Sequence, residues 1–351
     1  MRELAGDLER WRGRGERVAV ATVVATRRSA PRPVGAKLGV SEGGELAGSV
    51  SGGCVENEVY GVAREILEGS PGRLLSYGIS DDLALSVGLP CGGEIDVFVA
   101  TPDEAVLARA LEVAERGERA VQFTVVSGPE VGSELLVLES GEHVGAGPPE
   151  LAGYAHELIR GKRSQLVELE GRTVFADVLG PPPRLLVFGA VDTAETLCKA
   201  ARMIGWRTIV ADARGKFATP ERIPSADELI VAWPEEAIER VQPDHDTAIV
   251  VLTHEEKFDA PALAGALATE AFYVGAMGSR RAQEGRRERL LAEGIDDSQL
   301  DRIFGPSGLD VGAQSPAETA LSVLAEILAV RAGRDGGHLK EARGRIHADV
   351  A

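Results

Sequence analysis

Residues 184–212 read RLLVFGAVDTAETLCKAARMIGWRTIVAD, and their order decides the fold. Arg184–Phe188 is a short apolar run, predicted as a buried strand. A glycine turn follows, and Thr193–Ile204 spaces its apolar residues as a helix does. Arg207–Ala211 is a second strand, ending on Asp212. Further on, Ile230, Thr247–Leu252 and Phe272–Gly275 mark three more short strands, with helical patterns between the later ones. Ser315–Arg331 reads as a closing helix, with Ser315 as its N-cap and Pro316 in the first helical position. Strict β/α alternation predicts a doubly wound parallel sheet over 184–332.

The turn itself, Gly189-Ala190-Val191-Asp192-Thr193-Ala194, stands where dinucleotide-binding folds carry G-x-G-x-x-G/A, and Asp212 stands where a ribose-binding carboxylate belongs. The domain is therefore Rossmann-like. Its cofactor is left open. Val191 replaces the glycine that lets backbone touch a pyrophosphate, and Asp192 puts a negative charge at a helix N-terminus where phosphate would sit. NAD(P) binding by Gly189 and Asp212 is one reading; a Rossmann-like domain that has lost or altered that site is the other. A second turn, Gly275-Ala276-Met277-Gly278-Ser279-Arg280-Arg281, follows a later strand, and Gly278, Ser279 and Arg280 suit an anionic group there. Surface arginines pairing with acidic neighbours would look the same. Thr253-His254 lies at another strand's carboxyl end.

Upstream, Gly180-Pro181-Pro182-Pro183 can continue neither a helix nor a central strand and reads as a stiff linker. It closes an N-terminal α/β domain over 1–180, and the polar stretch 333–351 reads as a flexible tail. Val18–Thr26 is a β-branched strand, and a loop follows over Arg27–Gly35. Val55, Val59, Val62 and Ile66 share one helical face before Gly69. Leu74–Ile79 and Ile95–Ala100 are strands. Residues 103–178 alternate helix and short strands and read as the edge of this domain; no internal repeat is evident.

Two of the three cysteines sit among glycines. Cys54 follows Gly52 and Gly53 at a predicted helix start, a position that favours a reactive thiolate. Cys91 is followed by Gly92, Gly93 and Glu94, and Glu56 and Glu94 are candidates to position a ligand or carry protons. The competing reading is that buried cysteine is a common small hydrophobe; Cys198, inside a predicted helix, fits that reading. Neither loop cysteine has a close C-x-x-C partner, so a zinc site is not indicated.

Composition bounds the partners. The chain has 351 residues, with 38 basic and 55 acidic side chains, for a net charge of −17. Such a surface repels phosphate backbones and anionic lipid, which argues against nucleic acid and membranes. Three cysteines are too few for a disulfide framework. Met1–Gly13 is charged and has no leader pattern, so the expected compartment is the reducing cytoplasm.

Taken together, these segments resemble the xanthine dehydrogenase accessory factor family (XdhC/CoxI), in collinear order from about 17 to 332. The matching residues are Ser29–Lys37, Gly48–Glu56 and Cys91–Glu94 in the first half. In the second they are the Gly189 turn, Thr253-His254, Tyr273–Gly275 with Gly278–Arg281, and Gly308–Ala313 leading to Pro316–Glu318. The family commonly reads Gly-x-Gly-His-Val-Ala where this chain has Gly189–Ala194. The resemblance implies a maturation factor that binds the molybdenum cofactor, supports its sulfuration and hands it to a molybdenum hydroxylase apo-enzyme. It implies a cofactor chaperone rather than an enzyme, a homodimer, and a cysteine desulfurase as sulfur source. Cys54 and Cys91 would then be the metal-contacting thiolates, soft sulfur suiting molybdenum. The alternative from another class is an NAD(P)-dependent oxidoreductase working through the Rossmann-like domain.

Overall fold

The structure is a computed structural model that describes residues 1–28, 30–78, 93–161, 163–253 and 255–341. Two compact units divide the described residues, one over Met1–Pro181 and one beginning at Pro182.

In the first unit, helix α1 (Ala5–Gly13) precedes strands β1 (Val18–Arg27), β2 (Lys37–Ser41) and β3 (Leu46–Gly48), helix α2 (Glu56–Leu67), and strands β4 (Arg73–Tyr77) and β5 (Glu94–Ala100). The strands form an antiparallel sheet in the order β3-β2-β1-β5-β4. The same series then recurs. Helix α3 (Glu104–Arg116), strands β6 (Ala120–Ser127), β7 (Glu134–Leu138) and β8 (His143–Gly145), helix α4 (Ala155–Gly161), and strands β9 (Gln165–Leu169) and β10 (Arg172–Leu179) follow one another. Their sheet order is β8-β7-β6-β10-β9.

The recurrence extends to register. Thr22 pairs with Lys37 and Phe98 in the first sheet, as Thr124 pairs with Glu134 and Phe175 in the second. The sequence carries the trace: GAKLGVSEGGELAG (35–48) against GSELLVLESGEHVG (132–145), identical at Gly35/Gly132, Leu38/Leu135, Val40/Val137, Glu42/Glu139, Gly44/Gly141, Glu45/Glu142 and Gly48/Gly145. The expectation of no internal repeat is thus wrong, and 103–178 is a second copy of the motif rather than an edge. The repeat escapes a fixed-period reading because its first hairpin loop is longer, running from Arg28 to Ala36 against Gly128 to Ser133.

The two sheets meet through Val24, Phe98, Val126 and Phe175, all buried. Beside that contact, Lys37 Nζ lies 2.7 Å from Asp177 Oδ2, and both side chains are almost wholly covered. Helices α2 and α4 each bury an apolar stripe on their own sheet, α2 through Val59, Val62 and Ile66 and α4 through Leu158 and Ile159. Fully covering one such side chain contributes roughly 1.5–3 kcal/mol.

The second unit has the alternation predicted from its sequence. It comprises β11 (Arg184–Phe188), α5 (Asp192–Met203), β12 (Arg207–Ala211), β13 (Glu228–Ile230), α6 (Pro234–Val241), β14 (Thr247–Val251), α7 (Glu256–Leu267), β15 (Tyr273–Ala276), α8 (Arg280–Ala292), α9 (Asp297–Leu300), β16 (Ile303–Phe304) and α10 (Pro316–Arg331). All sheet pairings are parallel, in the order β13-β12-β11-β14-β15-β16. The strands read as continuous apolar runs because both faces are covered. Leu185 and Val187 join one core, Leu186 and Phe188 the other. Ser315 caps α10 in a reciprocal box with Glu318, as its sequence predicts. The two-residue strand β16 was not legible, being too short to show a period. No helix among the described residues is long and apolar enough to cross a membrane.

Candidate functional site

The first cysteine loop hangs between β3 and α2. Gly48 ends β3 at φ +78°, where an added Cβ would stand 2.3 Å from the Lys37 carbonyl oxygen. Val50 and Val55 are buried and pin the loop at both ends. Between them the chain wraps around one carboxylate. Glu56 Oε1 accepts hydrogen bonds from Ser49 Oγ (2.6 Å), Val50 N (3.2 Å) and Ser51 N (2.8 Å). Glu56 Oε2 accepts from Ser51 Oγ, Gly53 N (2.8 Å) and Val55 N (3.2 Å). Burial works against the charge, but the Ser49 and Ser51 donors outweigh it and hold the carboxyl down at about 2. Glu56 is therefore an anchor of its own loop, its oxygens occupied, and not an open acid or base.

Cys54 lies two residues before α2 begins, in the loop rather than in the helix, and is exposed. Its N–H donates to Ser51 Oγ at 2.9 Å, and Gly52 N donates to Ser49 Oγ at 2.8 Å. Gly52 (φ +78°) and Gly53 (φ +113°) adopt the left-handed backbone that glycine allows, and the space where their Cβ atoms would stand is open. Ser49 and Ser51 fall within the matching stretch Gly48–Glu56, but the sequence assigns them no role. Their hydroxyls organise the loop, and the alternation Ser-x-Ser before Gly-Gly was the signal available.

Cys91 and Gly92 lie outside the described residues, as do Ser29 and His254. Gly93 is buried, and Glu94 opens β5 with Arg28 Nη1 at 3.7 Å and Arg27 Nη1 at 3.9 Å. Cys198 is wholly buried in α5, and burial pushes its thiol up to about 12, which matches a packing role. Among the described residues no group of three or more His, Cys, Asp or Glu is placed to hold a metal ion.

In the second unit the switch of strand order falls between β11 and β14. Gly189 (φ +107°) is required there, since a Cβ would come within 3.0 Å of Thr253 Cγ2. Asp212 does sit beside the glycine turn, but its oxygens are engaged. Oδ2 accepts from Ala190 N at 2.9 Å and from Arg214 Nη2 at 2.8 Å; Oδ1 accepts from Arg214 N and Nε, both at 2.9 Å. Burial opposes the charge, and Arg214 with the Ala190 amide more than offsets it, leaving the carboxyl below its ordinary range. Arg214 also reaches Glu255 Oε1 at 2.8 Å and lies over the Phe217 ring at 4.1 Å. Gly189, Asp212 and Thr253 are among the residues lining a small hollow of about 10 Å³, room for one water. The Thr253 hydroxyl is buried and has no partner among the described residues. The D-x-R pattern at 212–214 was legible, but its consequence was not. Ser279 caps α8 by accepting from Ala282 N at 3.2 Å, Gly278 holds φ +134°, and Arg280 is exposed.

Comparison with known proteins adds lineage to this geometry. The XdhC Rossmann domain matches residues 185–327, and the XdhC and CoxI family matches residues 11–78. The chain is 30% identical over 319 residues to a probable xanthine dehydrogenase subunit of Bacillus subtilis (strain 168), covering 90% of this chain and 94% of that one. It is 27% identical over 317 residues to the molybdenum cofactor insertion chaperone PaoD of Escherichia coli (strain K12), covering 90% and 84%. A crystal structure from Bacillus halodurans, described as a xanthine dehydrogenase, superposes with a TM-score of 0.75 at 26% identity, over 97% of this chain and 98% of that one.

Proposed function

The chain belongs to the XdhC/CoxI family, and we propose that it is a maturation factor that holds the molybdenum cofactor and delivers it to the apo-enzyme of a xanthine dehydrogenase-type molybdenum hydroxylase. The observation that carries this reading is Cys54, an exposed thiol on a loop whose backbone is satisfied from within. A soft thiolate is a fitting donor for molybdenum, and the cofactor is cargo here. Likeness over 90% of the chain to a protein named as a molybdenum cofactor insertion chaperone supports the same role.

In this reading Cys54 and Cys91 touch the metal, Gly52 and Gly53 leave room for the cargo, and Gly92 and Gly93 are further candidates beside Cys91. Glu94 is a further contact candidate in the first unit; in the second, Gly189, Gly278, Ser279 and Arg280 are candidates for an anionic group, Arg280 for a phosphate, while the Asp212 oxygens are already taken by Arg214 and Ala190 N. The functional divisions are 1–180 and 184–332, followed by the tail 333–351. A cysteine desulfurase as sulfur source, a homodimer and a cytoplasmic location are its finer parts.

The test uses cofactor freshly released from a molybdenum hydroxylase. Mixed with the full chain and desalted, it should co-elute as protein-bound molybdenum, and added apo-hydroxylase should gain activity. Cys54→Ala should retain tenfold less. Equal retention by wild type, Cys54→Ala and Cys91→Ala would overturn the assignment.

A further inference from the structure

We propose that Glu56 is the positioning residue of Cys54, acting through Ser51, and that the cargo therefore meets the thiol and not the loop amides. The proposal rests on the cofactor-binding reading of this same loop.

The first residue of α2 reaches back over the segment that precedes it. Its two oxygens take the N–H groups of Val50, Ser51, Gly53 and Val55 together with both serine hydroxyls. Ser51 relays this hold. It is buried, donates to Glu56 Oε2, and accepts from Cys54 N at 2.9 Å and Val55 N at 3.0 Å. Backbone N–H groups arranged in a concave turn form an anion cradle; this cradle is filled by the chain's own carboxylate. A bound phosphate would have to evict it, whereas the Cys54 side chain and the open faces of Gly52 and Gly53 stay accessible.

The second copy of the motif is an internal control. After Gly145 the chain reads Ala146-Gly147-Pro148-Pro149, without serines or cysteine, and Gly147 N donates to the Glu134 carbonyl at 2.8 Å. The carboxylate latch accompanies only the copy that carries the thiol.

Glu56→Ala and Glu56→Gln, both with Cys54 intact, should exchange the Gly53 and Val55 amide hydrogens at least tenfold faster than wild type, while the α2 amides keep their protection. Both should lose cofactor retention about as far as Cys54→Ala does. Acetate, which can refill the emptied cradle, should restore slow exchange and retention to Glu56→Ala but not to Cys54→Ala. Unchanged exchange in Glu56→Ala, no response of that variant to acetate, or full retention by it while Cys54→Ala loses cofactor would each overturn the proposal. Full retention by Cys54→Ala would instead sink the cargo role of the thiol and leave the exchange result standing.

Discussion

Among single residues, Glu134 ties stability to pH. It opens β7 and is buried, which pushes its carboxyl up to about 7 in spite of hydrogen bonds from Asp103 N and Gln122 Nε2. The folded chain favours the neutral acid. Between about pH 4.5 and 7 the folded state keeps a proton that the unfolded chain has released, so stability falls as pH rises through that window. The loss is on the order of 3 kcal/mol. Glu134→Gln has no charge to bury and should remove this decline, with a urea midpoint above wild type at pH 8 and near it at pH 4. A wild-type midpoint that stays level from pH 5 to pH 8 would refute the assignment. At the same scale, pairing decided what residue identity had left open. Asp212 is committed to Arg214 and Ala190, and Glu56 to its own loop, so neither offers the free carboxylate that its sequence position suggested.

At the scale of elements, the glycines that end β3 and β8 show what the duplicated motif demands. At Gly48 and Gly145 an added Cβ would lie 2.3 Å from the carbonyl oxygen of Lys37 and of Glu134 respectively, with φ at +78° and +114°. Neither backbone can give way, because each carbonyl belongs to the adjoining strand. Gly48→Ala and Gly145→Ala should each cost about 2 kcal/mol or more, read as a fall in thermal midpoint. Gly61, inside α2 with open space around it, is the counter-case: Gly61→Ala should gain roughly 0.5–1 kcal/mol. If Gly145→Ala unfolds like wild type, the second copy does not share the constraint of the first. The elements that were legible were those where period and punctuation agreed, as with Ser315-Pro316 at the head of α10. Their grouping was harder: the identities between 35–48 and 132–145 are sparse, and only the shared strand order gives them meaning.

Across a whole unit, the ion pair between Lys37 and Asp177 ties the two copies of the motif together. Burial works against the Asp177 carboxylate, yet Lys37 beside it holds it below its ordinary range. Removing one partner strands the other charge away from water. Lys37→Met should therefore destabilise the chain by about 3–5 kcal/mol, and adding Asp177→Asn should recover much of the loss. A double variant no more stable than the single one in urea would show that the pair is not coupled.

The sequence by itself determined the parallel sheet of the second unit, since apolar runs alternating with helical periods bury both faces of a sheet in only one common way. It also determined which cysteines stand apart, because Gly-Gly before Cys54 and after Cys91 is visible in the chain. Only the tertiary structure decided that the first unit is a doubled motif, since strand order and register are relations between distant segments. The same holds for the state of the site. Whether a carboxylate is free or occupied depends on which donors folding brings within about 3 Å of it, and for Glu56 and Asp212 folding brought enough to occupy both.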